Sequence, residues 1–429
     1  MIKRIIPLLF LFVSGYTQTG TYANFQVNVF NNPYPANMFI HTMGAQSKYM
    51  AIIDSTLNPS WFINSGELGL DFKVNHNQLS YFKRIDQSWI LLNEYMVEID
   101  TLKCIGGYNA DYHDMQVLSD GGYFLQAYDS ILVDMSTIVT NGSPNATIHL
   151  LIIQEFDINH NLIFEWNAWN HLNISDYTNL NLTSNNITWM HGNSIEVDFD
   201  ENIIISNRRS SEIIKIDRIT GEVIWFLGGP NNEFLFLNDS LNGFRKQHDV
   251  RRIENGNITL FDNGNTHDTP LSRALEYEID EDEKVVNLIW DFVQPDGYVA
   301  LAMGSVQRLP NNNTLINWGT LNNRGAIITE VDYEKNIVLD IQFSQGNKCY
   351  KVRKNTWDFA TNLLPGDTNL DNQINIYDLN YIVDYILFDQ SDSDVFHLFR
   401  FDVNRDGIIN SSDIDLFIES SMEKNLVLA

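Results

Sequence analysis

The chain has 429 residues, enough for one large domain and one small one. It carries 55 acidic against 27 basic residues and a formal charge of −28, which excludes a general nucleic-acid surface, because a phosphate backbone needs neutralising cations. No stretch reaches 18 consecutive apolar residues, so no transmembrane span is expected in the mature chain.

At the start, Lys3 and Arg4 precede an apolar run from Ile5 to Val13, and the small residue Ala23 offers a cleavage point. This is the pattern of a signal peptide over residues 1–23, with a retained anchor as the alternative. Export predicts a secreted or cell-surface protein and leaves a periplasmic location open. It also permits a disulfide between the two cysteines, Cys104 and Cys349. Two buried free thiols are the equal alternative.

Residues 24–360 read as strands: short β-branched and aromatic runs punctuated by Asn, Gly and Asp. Examples are Asn202 to Ser206, Ile213 to Ile216, Glu222 to Phe226 and Ile258 to Phe261. A degenerate unit recurs from His113, His191, His248 and Gly304, in which an apolar strand leads through an Asn/Gly turn to another strand. The last two openings lie 56 residues apart, the middle two 57, and the first two 78. The long interval calls for an insertion near 134–149 and 167–190. Repeats of this size fit four-stranded blades set radially, about six over this length. The expected fold is therefore all-β, a six-bladed β-propeller, with a β-sandwich as the structural rival. If early and late chain share a closing blade, a Cys104–Cys349 bond would pin the seam.

In a propeller, equivalent blade openings converge on one end of the central channel, so His113, His191 and His248 become candidates for a single site. Arg208, Arg209, Arg251, Arg252 and Arg273 follow closely in sequence. Strand alternation argues against both members of an adjacent pair facing the same way. Guanidinium groups beside imidazoles would make a pocket for sulfuryl or phosphoryl oxygens. Solvent-exposed turn histidines, a His-rich metal site and a carboxylate-driven sugar hydrolase remain open on the residues alone.

Over roughly residues 85–345 the chain resembles the arylsulfate sulfotransferases that use no nucleotide sulfate donor. The resemblance lies in HGNSIEVDFDENIIISNRRSSEIIKIDRITGEVIWFLGG from His191, QHDVRRIENGNITLFDNGN from Gln247, SRALEYEID from Ser272 and GSVQRLPNNNTLINWG from Gly304. It implies a propeller enzyme that transfers a sulfuryl group from an aryl sulfate to a phenolic acceptor through a sulfohistidine. His248 would be the nucleophile, His191, Asn193 and Arg208 the holders of the sulfuryl oxygens, and His113 the group assisting the phenolic oxygen. The chain departs from the pattern at Met303, Gly304 and Ser305, where Ser305 is a candidate pocket hydroxyl.

The tail, residues 361–429, contains two loops with calcium spacing. Asp367, Asn369, Asp371, Gln373, Asn375 and Asp378 occupy positions 1, 3, 5, 7, 9 and 12 of the first loop. Asp402, Asn404, Asp406, Ile408, Asn410 and Asp413 do so in the second, with Gln373 and Ile408 offering backbone carbonyls. Apolar residues at helical spacing follow the first loop, and a shorter helix is expected after the second. The tail resembles a type I dockerin, a small α-helical Ca2+-binding module, and the resemblance implies docking onto a cohesin domain of another protein. A calcium-stabilised tail without a partner is the alternative. For the whole chain, a noncatalytic glycan- or anion-binding propeller anchored through its dockerin stands against the enzyme.

Overall fold

The computed structural model describes residues 25–44, 48–65, 69–357, 366–368, 373–388, 400–404 and 409–426. The expected signal peptide lies outside them. The chain divides into two compact units, one of them Tyr22–Leu363 and the other including Leu364–Ala429.

The larger unit is a six-bladed β-propeller, each blade built on four antiparallel strands. The inner strands, in ring order, are Lys348–Asn355, Lys73–Asn75, Ala110–Val117, Gly192–Val197, His248–Arg252 and Ser305–Arg308. Blades 1 to 6 are named in that order. The expected insertion falls in both stretches of blade 3: residues 134–145 join its second and third strands through a short turn at Met135–Thr137, and after its fourth strand Asn186–Thr188 returns to pair in parallel with Ala146–Phe156.

Blade 4 shows why these residues form strands. Ile203–Asn207 and Glu212–Ile216 are buried at every position, and β-branched side chains suit a pleated surface packed on both faces. Alternation then assigns the faces: Ile203 and Ile205 pack with Leu151 and Ile153 of blade 3, whereas Ile204 joins Val250 and Leu260 of blade 5. Each such side chain contributes about 1.5–3 kcal/mol by burial. Hairpin turns consume many of the aspartates. Asp217, for example, accepts from the backbone N–H groups of Ile219 at 2.9 Å and Thr220 at 2.7 Å. The same turn needs Gly221, which has φ +76°, and a Cβ there would lie 2.7 Å from His171.

Adjacent blades are stapled by side chains near the channel. Asp114 accepts from the N–H of Ile195 at 3.0 Å, and Ser194 accepts from Val250 at 3.1 Å. Asp249 accepts from Val306 and Ser305 from Val352, both at 3.1 Å. These bonds fix the true register of the repeat. The positions before the staples are His113, Asn193, His248 and Gly304, so His191 sits two residues ahead of the equivalent site rather than on it. The staple also accounts for Ser305: its hydroxyl is bonded between blades and is not a free pocket group.

Ring closure joins early and late chain, since Lys348–Asn355 is the inner strand of a sheet continued by Asn37–Met43. Phe25–Phe30 meanwhile pairs with Ile337–Phe343 at the rim of blade 6. Of the two readings of the cysteines, the structure shows free thiols rather than a disulfide. Cys349 is buried opposite Thr42 in the closing strand pair, while Cys104 packs between blades 2 and 3. Backbone pairing, not a covalent bond, closes the ring.

In the C-terminal unit, helices Ile376–Phe388 and Ser411–Leu426 meet around Ile382, Phe401 and Phe417. The second helix has 16 residues against 13 in the first, correcting the expectation that it would be shorter. Its apolar spacing fades after Ile418, but the polar residues that follow include good helix formers such as Glu423 and Lys424.

Candidate functional site

His113 and His248 lie on the inner strands of blades 3 and 5, and His191 immediately precedes the inner strand of blade 4 between them. The rings of His113 and His191 are 4.6 Å apart between centroids, at 72°. Tyr112 stacks on His113 at 4.2 Å and Tyr350, from the closing strand, meets it edge-on at 5.6 Å. Asn193 donates to the Gln247 carbonyl at 2.7 Å, tying blade 4 to the residue before His248. Its Oδ1 is buried without a partner. The N–H of Arg208 donates to the His191 carbonyl at 2.9 Å, its Nη2 to Leu301 O at 2.9 Å, and its Nε is buried and unpartnered.

His248 is the most enclosed of the three. Its Nδ1 lies 2.6 Å from Asn263 Oδ1, while Asn263 Nδ2 donates to the Met303 carbonyl at 2.9 Å. The carbonyl bond orients the amide, so Asn263 can only accept from the ring. His248 therefore carries its proton on Nδ1 and presents the Nε2 lone pair. Burial and the charge of Arg208 hold its pKa well below the ordinary imidazole value, against the raising effect of Asn263. His191 is pushed down to about 3 by burial, His113 and Arg208. Both rings are neutral at neutral pH.

His113 is set up differently. Asp111 accepts from its ring Nδ1 at 2.6 Å and from its backbone N–H at 3.0 Å, and also from Gln126 Nε2 at 2.8 Å. Burial favours the protonated acid, yet the His113 charge and these hydrogen bonds hold Asp111 below the usual carboxylate range. A persistent carboxylate behind the imidazole lets His113 take up a proton during a reaction and release it again.

Of the arginines singled out in the sequence, Arg251, Arg252 and Arg273 are held in ion pairs and do not reach this pocket as free cations. Arg251 pairs with Asp114, Asp249 and Glu196 at 2.7, 3.0 and 3.1 Å. Arg252 pairs with Asp198 at 2.7 Å, and Arg273 with Asp239 at 2.8 Å and Asp262 at 2.9 Å. Arg251, Arg252 and Arg353 line a cavity of about 250 Å³ farther along the inner strands, but carboxylates already engage them. Sequence reasoning missed Asp111, Asn263 and Tyr350. The first leaves a legible signal, since residues two apart on a strand share a face. The pairing of His248 with Phe261 brings Asn263 near. Tyr350 becomes visible only once the closing strand is known.

The family model described as Arylsulfotransferase (ASST) matches residues 25–351. The chain belongs to the arylsulfotransferase family. That membership makes it an enzyme of the sulfotransferase type whose family needs no nucleotide sulfate donor. A type I dockerin model matches residues 365–420 of this arylsulfotransferase. A comparison with curated proteins gives no match. Among solved structures, a Bacteroides caccae protein of unknown function aligns with TM-score 0.48 and 11% identity, over 75% of this chain and 98% of that one. A catalytically inactive virginiamycin B lyase from Staphylococcus aureus, with quinupristin, aligns with TM-score 0.40 and 7% identity over 76% and 99%.

The dockerin loops are described in part. Asn369, Asp371, Asp406 and Ile408 lie outside the described residues. Asp378 is fully buried and accepts from the N–H groups of Thr368 and Asn375, each at 2.9 Å. Asp413 repeats this with Asn404 at 3.1 Å and Asn410 at 2.9 Å. The Asn375 and Asn410 side chains also cap the two helices, accepting from Tyr377 and Ser412. Among the described residues no three His, Cys, Asp or Glu side chains form a metal cage. Type I dockerins in general bind calcium, a hard cation that seeks six to eight oxygens. No helix among the described residues is long and apolar enough to cross a membrane.

Proposed function

We propose that the propeller transfers a sulfuryl group from an aryl sulfate to a phenol through a sulfohistidine at His248. One observation carries this reading: the Asn263 contact that leaves Nε2 of a neutral, buried imidazole as the nucleophilic atom. Its lone pair attacks sulfur, the N–S bond forms, and the S–O bond to the aryl group breaks with its electrons going to the phenolic oxygen. Protonated His113, supported by Asp111, supplies that oxygen with a proton. In the second half-reaction His113 removes the acceptor's proton as its oxygen attacks sulfur and His248 is released. Arg208, His191 and the second N–H of Asn193 hold the sulfuryl oxygens, where positive charge and fixed donors favour the transition state. The tail places the enzyme on a cohesin-bearing partner outside the cell, its loops closed on calcium by the twelve predicted ligands.

The test is the mass of the intact protein after a pulse of aryl sulfate without acceptor. An acid-labile increment of one SO3 on the wild type, absent from His248→Ala, is expected. Turnover without that increment overturns the covalent route. A noncatalytic anion-binding propeller would bind donors and release no phenol from any of them.

A further inference from the structure

In this acidic protein, cations are ordinarily matched by carboxylates: Lys73, Lys215, Arg251, Arg252, Arg273 and Arg308 all form ion pairs. Four cations beside the histidine mouth form none among the described residues. Arg208 is satisfied only by the Leu301 carbonyl, with Nε unpartnered. Arg209 is exposed on the same turn. Arg245 donates to the Phe244 carbonyl at 2.8 Å, and Lys246 spans to the Arg209 carbonyl at 2.7 Å. Asp262 accepts from the backbone N–H of Arg245 but is occupied by Arg273 and His267.

These charges act on one another. Lys246 is pushed down to about 8 by burial together with Arg208, Arg209 and Arg245, and Arg208 and Arg209 both act on His191. Holding like charges together without counter-ions costs stability unless a ligand supplies the missing negative charge. A simple aryl sulfate brings a single charge, on the group to be transferred, and Arg208 already faces it.

We propose that Arg209, Arg245 and Lys246 receive a second negative charge on the aromatic substrate, so that the preferred substrates are aryl sulfates and phenols bearing an additional carboxylate or sulfate. The inference rests on the sulfuryl-transfer reading. Because donor and acceptor occupy the aryl side of the site in turn, one rim serves both.

A matched pair of donors tests it: 4-carboxyphenyl sulfate and its methyl ester, which differ by one charge. The wild type is expected to favour the carboxylate in kcat/KM. In Arg209→Gln/Lys246→Gln that preference falls roughly tenfold, the scale of a lost charge-assisted contact. An unchanged ratio overturns the proposal. Arg209→Gln alone, at an exposed turn position, provides the comparison if the double variant does not fold. Calorimetric binding of both donors to His248→Ala separates the two readings. Tighter binding of the carboxylate supports the basic rim even if the wild type shows no transfer, and equal binding of carboxylate and ester overturns it.

Discussion

Asn263 Oδ1 stands 2.6 Å from His248 Nδ1, and its own amide nitrogen is held by the Met303 carbonyl. This pair decides which ring nitrogen is free. Asn263→Ala should lower kcat by at least about 10-fold to 100-fold without a comparable change in donor affinity, the scale on which a histidine suffers when the group orienting its ring is lost. Asn263→Asp keeps an acceptor but adds a negative charge, so His248 protonates more readily. The acid limb of its kcat/KM profile should move to higher pH. Wild-type profiles in both variants would defeat the assignment.

Asp111 and His113 are expected to act on the phenolic oxygen. Asp111→Asn should therefore slow transfer from phenyl sulfate by roughly 10-fold to 100-fold. With 4-nitrophenyl sulfate, whose leaving group needs little protonation, the loss should be small. The slope of log kcat/KM against leaving-group pKa measures this, and a uniform loss across donors would show a structural role instead.

Glu212 provides a stability test remote from turnover. Burial raises it to about 7, against the opposing hydrogen bond that Asn231 Nδ2 donates to Glu212 Oε1 at 3.0 Å. A raised carboxyl binds its proton more tightly in the folded chain, so its contribution is complete below the unfolded value near 4.5 and is lost as pH rises toward 7. Glu212→Gln should remove up to about 3 kcal/mol of that decline. Urea melts of both proteins at pH 4.5 and pH 7.5 measure the difference.

The two thiols should both be alkylated after unfolding without reductant. In the native protein Cys349 should resist, being buried between the closing strands. A mass lower by two protons before reduction would instead reveal the bond.

Calcium chelation should loosen the tail selectively. Circular dichroism in EGTA is expected to lose helix from residues 365–420 while the propeller melts at an unchanged temperature. Asp378→Ala should mimic this in the presence of calcium.

Much of the fold was legible because a blade is a local object. The alternating isoleucines of blade 4 and the Asx turns between strands are encoded within a few residues of one another. Register was harder. His191 lies close enough to the repeat to pass for an equivalent of His113 and His248, and only the Ser194 staple to Val250 shows that Asn193 holds that position. Ser305 likewise looked available until its bonds to blade 1 were seen. Tyr350 joins His113 across the whole ring, a separation no short-range pattern reports.

The closing strand also sets the order in which the site comes into being. Lys351 Nζ donates to the His113 carbonyl at 2.8 Å, and Tyr350 borders the same imidazole. Both belong to the final strand of the propeller to leave the ribosome. A nascent chain truncated before it would hold all three histidines and still lack a finished pocket, so turnover would report a fully made ring.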